Sequence, residues 1–272
     1  MSKERVDLLA FRQGLFESRE QAKRAVMAGL VIDSKNGQRF DKAGEKIDAS
    51  TELKIKGEKL KYVSRGGLKL EKALKTFAID VKGKVALDIG ASTGGFTDLM
   101  LQEGAQLVYA IDVGTNQLAW KLRQDERVIS KEQFNFRYAT KEDFPDQIAF
   151  TSIDVSFISL DLILPPLYDI LEEGGQVVAL VKPQFEAGKE FIGKNGIVRD
   201  AKVHQAVLEK VIKTSLDLDY TVKGLDYSPI QGGHGNTEFL LYLSKGSEEE
   251  KQVSLEEIKQ VVERAKKEFV NE

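Results

Sequence analysis

Short apolar runs alternate with longer amphipathic segments along the chain from residue 85 onward. The apolar runs cover residues 85–89, 107–111, 150–155, 176–181, 220–225 and 239–243. Runs of this length that alternate with helical segments are typical of a mostly parallel sheet with helices on both faces. The pattern predicts an α/β fold with a doubly wound, Rossmann-like sheet whose last two strands form an antiparallel pair at one edge.

The first 60 residues follow a different pattern. Residues 5–13 and 18–28 have the apolar spacing of short helices, and Ser18 with Gln21 has the spacing of a capping box. Short apolar runs near residues 30–32 and 53–56 indicate a small sheet. We therefore predict a small α+β domain over residues 1–60, a linker over 61–66, and a second domain over 67–272 that ends in an amphipathic helix.

The stretch VALDIGASTGGFT, residues 85–97, joins a predicted strand to a helix through a glycine-rich turn. Such a turn brings backbone amides close to a bound nucleotide. The dinucleotide pattern G-x-G-x-x-G has its second glycine where this chain has Ser92, so S-adenosylmethionine, which lacks a pyrophosphate, fits better than a dinucleotide. An ordinary βα turn without a ligand is the alternative. The predicted cofactor contacts are Asp88, Gly90, Ser92, Gly94, Gly95 and Phe96.

Polar residues at two later strand ends extend this candidate cofactor site. Asp112 ends the second strand, and an acid about 20 residues after a glycine turn usually binds ribose hydroxyls. Asn135 lies where the loop after the third strand should reach the adenine. We assign both residues to cofactor binding.

The composition narrows the possible chemistry. The chain of 272 residues has no cysteine and two histidines, which excludes disulfides and cysteine-based zinc sites and argues against a histidine metal centre. We expect no metal, and chemistry carried by carboxylates, lysines and the backbone. No apolar run approaches the roughly 20 residues of a membrane span or the length of a signal peptide. These features predict a cytoplasmic protein without a membrane partner.

The formal net charge of −3 hides an uneven distribution. Residues 1–75 contain 18 Lys and Arg against 11 Asp and Glu, whereas the rest of the chain contains 22 against 32. The front of the chain therefore has the balance expected of a surface that binds a polyanion. A solvated surface with a chance imbalance is the alternative.

The segment RVDLLAFRQGLFESREQAKRAVMAGLVI resembles the S-four RNA-binding domain, and the resemblance covers about the first 60 residues. In that family two helices present basic side chains to structured RNA, where phosphate contacts position the protein without reading sequence. A basic helix pair with no role in nucleic-acid binding is the alternative. The resemblance implies RNA contacts by Arg5, Arg12, Arg19, Lys23 and Arg24, and we group Arg65 in the predicted linker with them.

A lysine and an aspartate follow two of the predicted strands. Lys182 comes directly after the most apolar run, at the carboxyl edge of the sheet where ligands bind, and packing does not explain a lysine there. Asp154 ends the fourth strand, and the local sequence is equally consistent with a helix N-cap.

From residue 62 to about 243 the chain resembles FtsJ-type ribose 2′-O-methyltransferases, which carry a K-D-K-E tetrad. The matching residues are Lys69 in SRGGLKL, Asp154 in SIDVSF, Lys182 in LVKPQF and Glu238 in GNTEFL. The chain departs from that family at Ser92 and Thr93, where alanine and proline are common. The arrangement behind an S-four domain resembles the TlyA family, long labelled hemolysins.

These resemblances imply an RNA 2′-O-methyltransferase that uses S-adenosylmethionine and acts on ribosomal RNA or ribosomal subunits, with cytidine as the nucleotide. Lys182 would be the base, activated by burial and a neighbouring cation, while Lys69, Asp154 and Glu238 would orient it and the hydroxyl. A membrane-lytic protein and a non-catalytic ribosome-binding or assembly protein are the alternatives. The sequence leaves open the nucleotide, whether one or both subunits are substrates, and the oligomeric state.

Overall fold

The structure is a computed structural model, and it describes residues 3–16, 18–56, 61–246 and 253–270. The chain forms two compact units, residues 1–61 and residues 62–272. The division falls after residue 61, so residues 62–66, which the sequence pattern assigns to a linker, belong to the second unit. Tyr62 gives the physical reason, because its buried side chain belongs to the same apolar cluster as Leu70 and Phe96.

The first unit combines two helices with two small sheets. Helix α2 begins where Ser18 Oγ accepts a hydrogen bond from Gln21 N, and Val26 of α2 shares a core with Val6 and Leu9 of α1. The predicted start of α1 at residue 5 is corrected, because Arg5 lies in a strand paired with Lys46. The elements are β1 Lys3–Arg5, α1 Val6–Arg12, α2 Arg19–Met27, β2 Val31–Asp33, β3 Arg39–Phe40, β4 Lys46–Asp48 and β5 Leu53–Ile55, with β1 paired to β4 and the order β3-β2-β5 in the second sheet.

The second unit is built on a seven-stranded sheet of order β11-β12-β10-β9-β6-β7-β8. Its first five strands along the chain are parallel, and β12 is antiparallel to both β10 and β11. The predicted doubly wound α/β fold with an antiparallel edge pair is therefore confirmed. The strands are β6 Val85–Ile89, β7 Leu107–Ile111, β8 Val128–Lys131, β9 Ile148–Ile153, β10 Leu171–Val181, β11 Tyr220–Tyr227 and β12 Phe239–Lys245.

Helices cover both faces of this sheet. In β10, Val177, Ala179 and Val181 belong to the apolar cluster on one face, and Val178 and Leu180 belong to the cluster on the other. Burial on both faces explains why this strand reads as a continuous apolar run instead of an alternating one. The helices are α3 Gly67–Thr76, α4 Gly95–Gln102, α5 Trp120–Arg123, α6 Leu164–Ile170, α7 Pro183–Glu186, α8 Ala201–Asp217 and α9 Leu255–Val270.

The terminal helix begins with the predicted reciprocal cap. Ser254 N donates to Glu257 Oε2 at 2.8 Å, and Glu257 N donates to Ser254 Oγ at 3.2 Å. Ile258, Val261 and Val262 of α9 are buried in the same cluster as the core of α8. Across the described ranges, we find no helix with both the length and the apolar character needed to span a membrane.

Candidate active site

A cavity of about 780 Å³ opens at the carboxyl edge of the parallel strands. Its walls come from the turn after β6, the segments after β9 and β10, the start of α3, and the segment before β12. Ligand sites in doubly wound sheets lie at this edge, and the volume is in the range of small-molecule pockets. From the glycine-rich turn the lining includes Asp88, Gly90, Ser92, Gly95 and Phe96.

Two glycines of the turn have different roles. A Cβ on Gly90, which has φ +85°, would lie 2.5 Å from the backbone oxygen of Asp154, so this glycine lets the turn approach the end of β9. A Cβ on Gly94, with φ +97°, would lie 2.3 Å from Leu122 Cδ1. Gly94 therefore permits close packing against α5, and it lies outside the described lining of the cavity.

Asp88 lies under the turn and is fully buried. Its Oδ2 accepts hydrogen bonds from Thr97 N at 2.9 Å and Thr97 Oγ1 at 2.6 Å, and its Oδ1 accepts one from Ser152 Oγ at 3.1 Å. Burial raises the pKa of Asp88 to about 7, although these hydrogen bonds favour the charged form. Asp88, in β6, thus joins the start of α4 to the neighbouring strand β9.

Asp112 and Asn135 lie outside the cavity lining that the structure describes. Asp112 accepts hydrogen bonds from Ser92 N and Gly114 N, both at 2.7 Å, so its carboxylate holds the turn by a backbone amide. Asn135 Oδ1 accepts from Arg137 N at 3.2 Å and caps a short 3₁₀ turn. The structure therefore joins Asp112 to the turn and gives Asn135 a local capping contact.

The four residues of the predicted tetrad come together in the cavity wall. Glu238 Oε2 lies 2.6 Å from Lys69 Nζ, which lies 3.6 Å from Asp154 Oδ2, and Asp154 Oδ1 lies 2.5 Å from Lys182 Nζ. The order Glu238, Lys69, Asp154, Lys182 alternates negative and positive charges. Lys69, Lys182 and Glu238 are buried, and Asp154 keeps one-fifth of its side chain exposed.

The charges of Asp154 and Lys69 are stabilised by their neighbours in the tetrad. Burial alone would raise the pKa of Asp154, but Lys182 and Lys69 outweigh it and hold the pKa of that carboxyl below its usual value. Burial likewise opposes the charge of Lys69, and the two carboxylates outweigh it and raise the pKa of Lys69. Asp154 and Lys69 are consequently charged at neutral pH.

The fold explains why these four side chains meet. Lys69 lies in the first turn of α3, Asp154 follows β9, and Lys182 follows β10 just before Pro183 begins α7. Glu238 precedes β12, which runs antiparallel to β10, so the start of β12 lies at the same edge as the ends of the parallel strands. Asp154 is not a helix N-cap, because the next helical turn begins at Leu160 with Ser159 as its cap.

Several lining residues were not identified from the sequence. Ser156 Oγ lies 3.2 Å from Lys182 Nζ, and the ring of Phe157, which is 89% exposed, lies 4.9 Å from the ring of Phe185. Asn236 and Gly232 line the cavity beside Glu238. The motif GNTE, in which Asn236 stands two residues before Glu238, was the signal in the sequence that pointed to Asn236. The hydrogen-bond partners of Asn236 are remote in sequence, so the motif did not reveal its contacts.

Of the predicted RNA-contacting cations in the first unit, Arg5 is half-buried and the others are exposed, and most of them lie close to acids. Arg5 Nε and Arg19 Nε lie 2.9 Å and 3.4 Å from the two carboxylate oxygens of Asp7. Arg12 Nη2 lies 2.8 Å from Glu4 Oε2, and Lys23 Nζ lies 3.6 Å from Glu20 Oε1. Arg5 belongs to β1 and Arg12 to α1, so these two cations do not lie on one helix. Arg24 is an exposed residue of α2, and Arg65 is an exposed residue of the second unit.

The donor groups of the second unit fit a nucleoside ligand better than a metal ion. Over the described residues, no group of three or more His, Asp or Glu side chains is arranged to hold a metal. The turn instead offers backbone amides beside an open cavity, and a carboxylate at Asp112 fixes its geometry.

Comparison with known proteins identifies the family. A family model described as FtsJ-like methyltransferase matches residues 62–245. The chain belongs to the FtsJ-like methyltransferase family.

Relatives of this FtsJ-like methyltransferase carry two kinds of name. YqxC of Bacillus subtilis, provisionally named an rRNA methyltransferase, is 59% identical over 97% of this chain and 95% of its own length. The 16S/23S rRNA (cytidine-2′-O)-methyltransferase TlyA of Mycobacterium tuberculosis is 41% identical over 88% of this chain and 89% of its own length. A solved structure of a Streptococcus thermophilus protein, provisionally named a hemolysin, is 65% identical with a TM-score of 0.78, covering 100% of this chain and 98% of that one.

Proposed function

We propose that this FtsJ-like methyltransferase transfers a methyl group from S-adenosylmethionine to the ribose 2′-hydroxyl of a cytidine in ribosomal RNA. The observation that carries the proposal is the alternating chain of Glu238, Lys69, Asp154 and Lys182, which opens into the cavity beside the glycine-rich turn. The relative named 16S/23S rRNA (cytidine-2′-O)-methyltransferase supports ribosomal RNA and cytidine as the substrate.

The turn is the site that suits the cofactor. S-adenosylmethionine supplies an electrophilic methyl group on a sulfonium. Gly90, Ser92 and Gly95 would receive its nucleoside part along the turn, and Asp112 would keep that turn in place through Ser92 N. Asp88 accepts hydrogen bonds from Thr97 and so fixes the start of the helix that follows the turn.

The tetrad is the site that suits the hydroxyl. Transfer requires the ribose oxygen to bond to the methyl carbon while the carbon–sulfur bond breaks and the hydroxyl proton leaves. We assign that proton to Nζ of Lys182, which must start the step as the neutral amine and lies between Asp154 and Ser156. Lys69, held by Glu238, keeps Asp154 charged and in position.

The first unit is our proposed RNA-docking unit, with a boundary near residue 60. Its S-four resemblance and its exposed basic side chains support this role. Arg24 is a suitable test, because charge reversal there adds an acid to the basic helix α2. Arg24→Glu should weaken RNA binding and flatten its salt dependence by about one counterion. Unchanged affinity and salt slope in filter binding would contradict docking through this helix.

The decisive experiment supplies the full chain with methyl-labelled S-adenosylmethionine and with each unmodified ribosomal subunit separately. We expect label in ribosomal RNA, at a cytidine 2′-oxygen, and the same position should lose its methyl group in cells that lack the protein. We further propose that the protein works in the cytoplasm, together with ribosomes. Cofactor binding without transfer to either subunit would favour a non-catalytic ribosome-binding protein. Vesicle leakage without RNA methylation would favour the membrane-lytic alternative, which the family membership argues against.

A further inference from the structure

Two irregular segments form one wall of the cavity. Ile192, Asn195 and Gly196 come from the segment between α7 and α8, and Gly232, Gly233 and Asn236 come from the segment between β11 and β12. Among the described backbone hydrogen bonds, Gly193 N bonds Ile197 O and Gly232 N bonds Asn236 O, so these bonds close within their own segments. A side chain supplies hydrogen bonds that join the two segments.

Asn236 supplies that contact. Its side chain is buried, its Oδ1 accepts from Val198 N at 3.1 Å, and its Nδ2 donates to Gly196 O at 3.0 Å. The same Nδ2 donates to Gly233 O at 3.1 Å. One amide thus joins the two segments and also closes the loop that carries it.

Val198 is fixed from its other side as well. The ring Nε2 of His204, on α8, lies 2.9 Å from Val198 O, and because a carbonyl can only accept, this nitrogen donates. Burial lowers the pKa of His204, so the ring is neutral at physiological pH. The first segment is therefore anchored to α8 by its carbonyl and to Asn236 by its amide.

The second segment is in contact with the tetrad. A Cβ on Gly232 would lie 1.9 Å from Glu238 Oε1, so the backbone there packs directly on the carboxylate that pairs with Lys69. A shift of this segment would uncover Glu238. The position of the segment depends in turn on the hydrogen bonds of Asn236.

We infer that Asn236 is a positioning residue for methyl transfer, which joins the two segments so that the substrate wall and Glu238 are in place before RNA binds. This inference rests on the proposed function. It requires an amide at this position, because an aspartate would direct a carboxylate at Gly196 O and Gly233 O, and an alanine would make none of these bonds.

Gln231 offers a matched control. Its Nε2 donates to Gly235 O at 2.9 Å, so this described hydrogen bond stays within one segment. We would compare full-length Asn236→Ala, Asn236→Asp and Gln231→Ala by single-turnover transfer to ribosomal subunits, by cofactor calorimetry, and by hydrogen exchange of the amides at 196–198.

Both Asn236 variants should lose roughly 10²-fold in transfer rate at saturating cofactor, as expected for misplaced reacting groups. Their cofactor Kd should stay within about twofold of wild type, because the turn is untouched. Exchange at Val198 N should rise in both, although less in Asn236→Asp, which keeps an acceptor. Gln231→Ala should match wild type in every measurement.

Three results would overturn the inference. One is normal transfer by Asn236→Ala despite faster exchange at Val198 N. A second is a parallel loss of cofactor affinity and thermal stability, which would show a general folding defect. If neither variant folds, rapid exchange of Val198 N in the wild-type protein would decide against the inference. A wild-type protein that transfers no methyl group would contradict the proposed function itself, independently of Asn236.

Discussion

Asp88 lies in β6 and Asp154 directly follows the neighbouring strand β9, and their environments shift the pKa values of the two carboxyl groups in opposite directions. Asp88 is fully buried among hydroxyl and amide donors, and its pKa rises to about 7. Asp154 lies between two lysines, which lower its pKa despite burial. Aspartate therefore has two roles in this site. Asp88, with neutral donors as hydrogen-bond partners, holds the turn and α4 together, and Asp154, with two lysines as partners, is the central anion of the tetrad.

The largest expected effect comes from the tetrad end. Lys182→Ala should reduce single-turnover methyl transfer by roughly 10²- to 10⁴-fold, the range of general-base catalysis, while cofactor and RNA affinities stay near wild type. The change leaves Asp88 and the turn intact, so it tests the tetrad without altering the turn.

The Lys182→Arg variant tests whether Lys182 acts as a general base or as a positive charge that holds the substrate. A guanidinium keeps the ion pair with Asp154 but cannot accept the hydroxyl proton, so we expect no rescue between pH 6 and 9. If the Arg variant retains most of the activity, or if RNA affinity falls in the Ala variant, Lys182 is not the base.

A smaller effect should distinguish the two acids by pH. An acid whose pKa is raised on folding stabilises the fold below its unfolded pKa and loses that contribution as pH rises through the folded value. Because the pKa of Asp88 is about 7, the unfolding free energy of the wild-type protein should fall by about 3 kcal/mol as the pH rises from 5 to 8. Asp88→Asn should remove this part of the pH dependence in denaturant titrations.

Asp154→Asn is the control for that measurement. Because the pKa of Asp154 is lowered, its contribution is lost only as pH falls through its folded pKa, well below pH 5. The Asn variant should lose methyl transfer and keep only part of the wild-type pH slope from 5 to 8, because the charge of Asp154 contributes to the raised pKa of Asp88. Equal slopes for all three proteins would show that Asp88 is ionised in the folded chain.

The smallest effect concerns the amide that Asp112 holds. Asp112→Ala should weaken cofactor binding by about 2 kcal/mol, or about 30-fold in Kd, because Ser92 N loses a charge-assisted hydrogen bond and the ribose loses its predicted partner. Asp112→Asn keeps one acceptor oxygen and should lose less. An unchanged Kd in calorimetry would remove Asp112 from the cofactor site.

The sequence predicted those parts of the molecule in which the signal is local. The β10 strand is apolar on both faces, so its run of residues marks a central strand and places Lys182 at the sheet edge. The glycine-rich turn is likewise contained in one short stretch. The strand pattern drew attention to Lys182 and Asp154, but the tetrad as a set was predicted only through family motifs, because its members come from four separate segments.

Contacts between distant residues could not be predicted in this way. Strand β1 is the charged stretch Lys3–Arg5, and it forms because β4 offers a pairing edge. Asn236 bonds residues 38 and 40 positions away. The sequence predicts Gly90 as a cofactor contact. The structure adds that a side chain at this position would collide with the backbone of Asp154.

The position of Glu238 also has a consequence for synthesis. Glu238 and its partner Lys69 are 169 positions apart, and β12, which follows Glu238, covers one edge of β10. During translation the first three tetrad residues leave the ribosome well before the fourth, and the apolar β10 edge stays open to other chains until β12 arrives. A polypeptide that stops before residue 239 should therefore aggregate and have no residual activity. The ability to modify RNA begins only when β12, the last strand, is added.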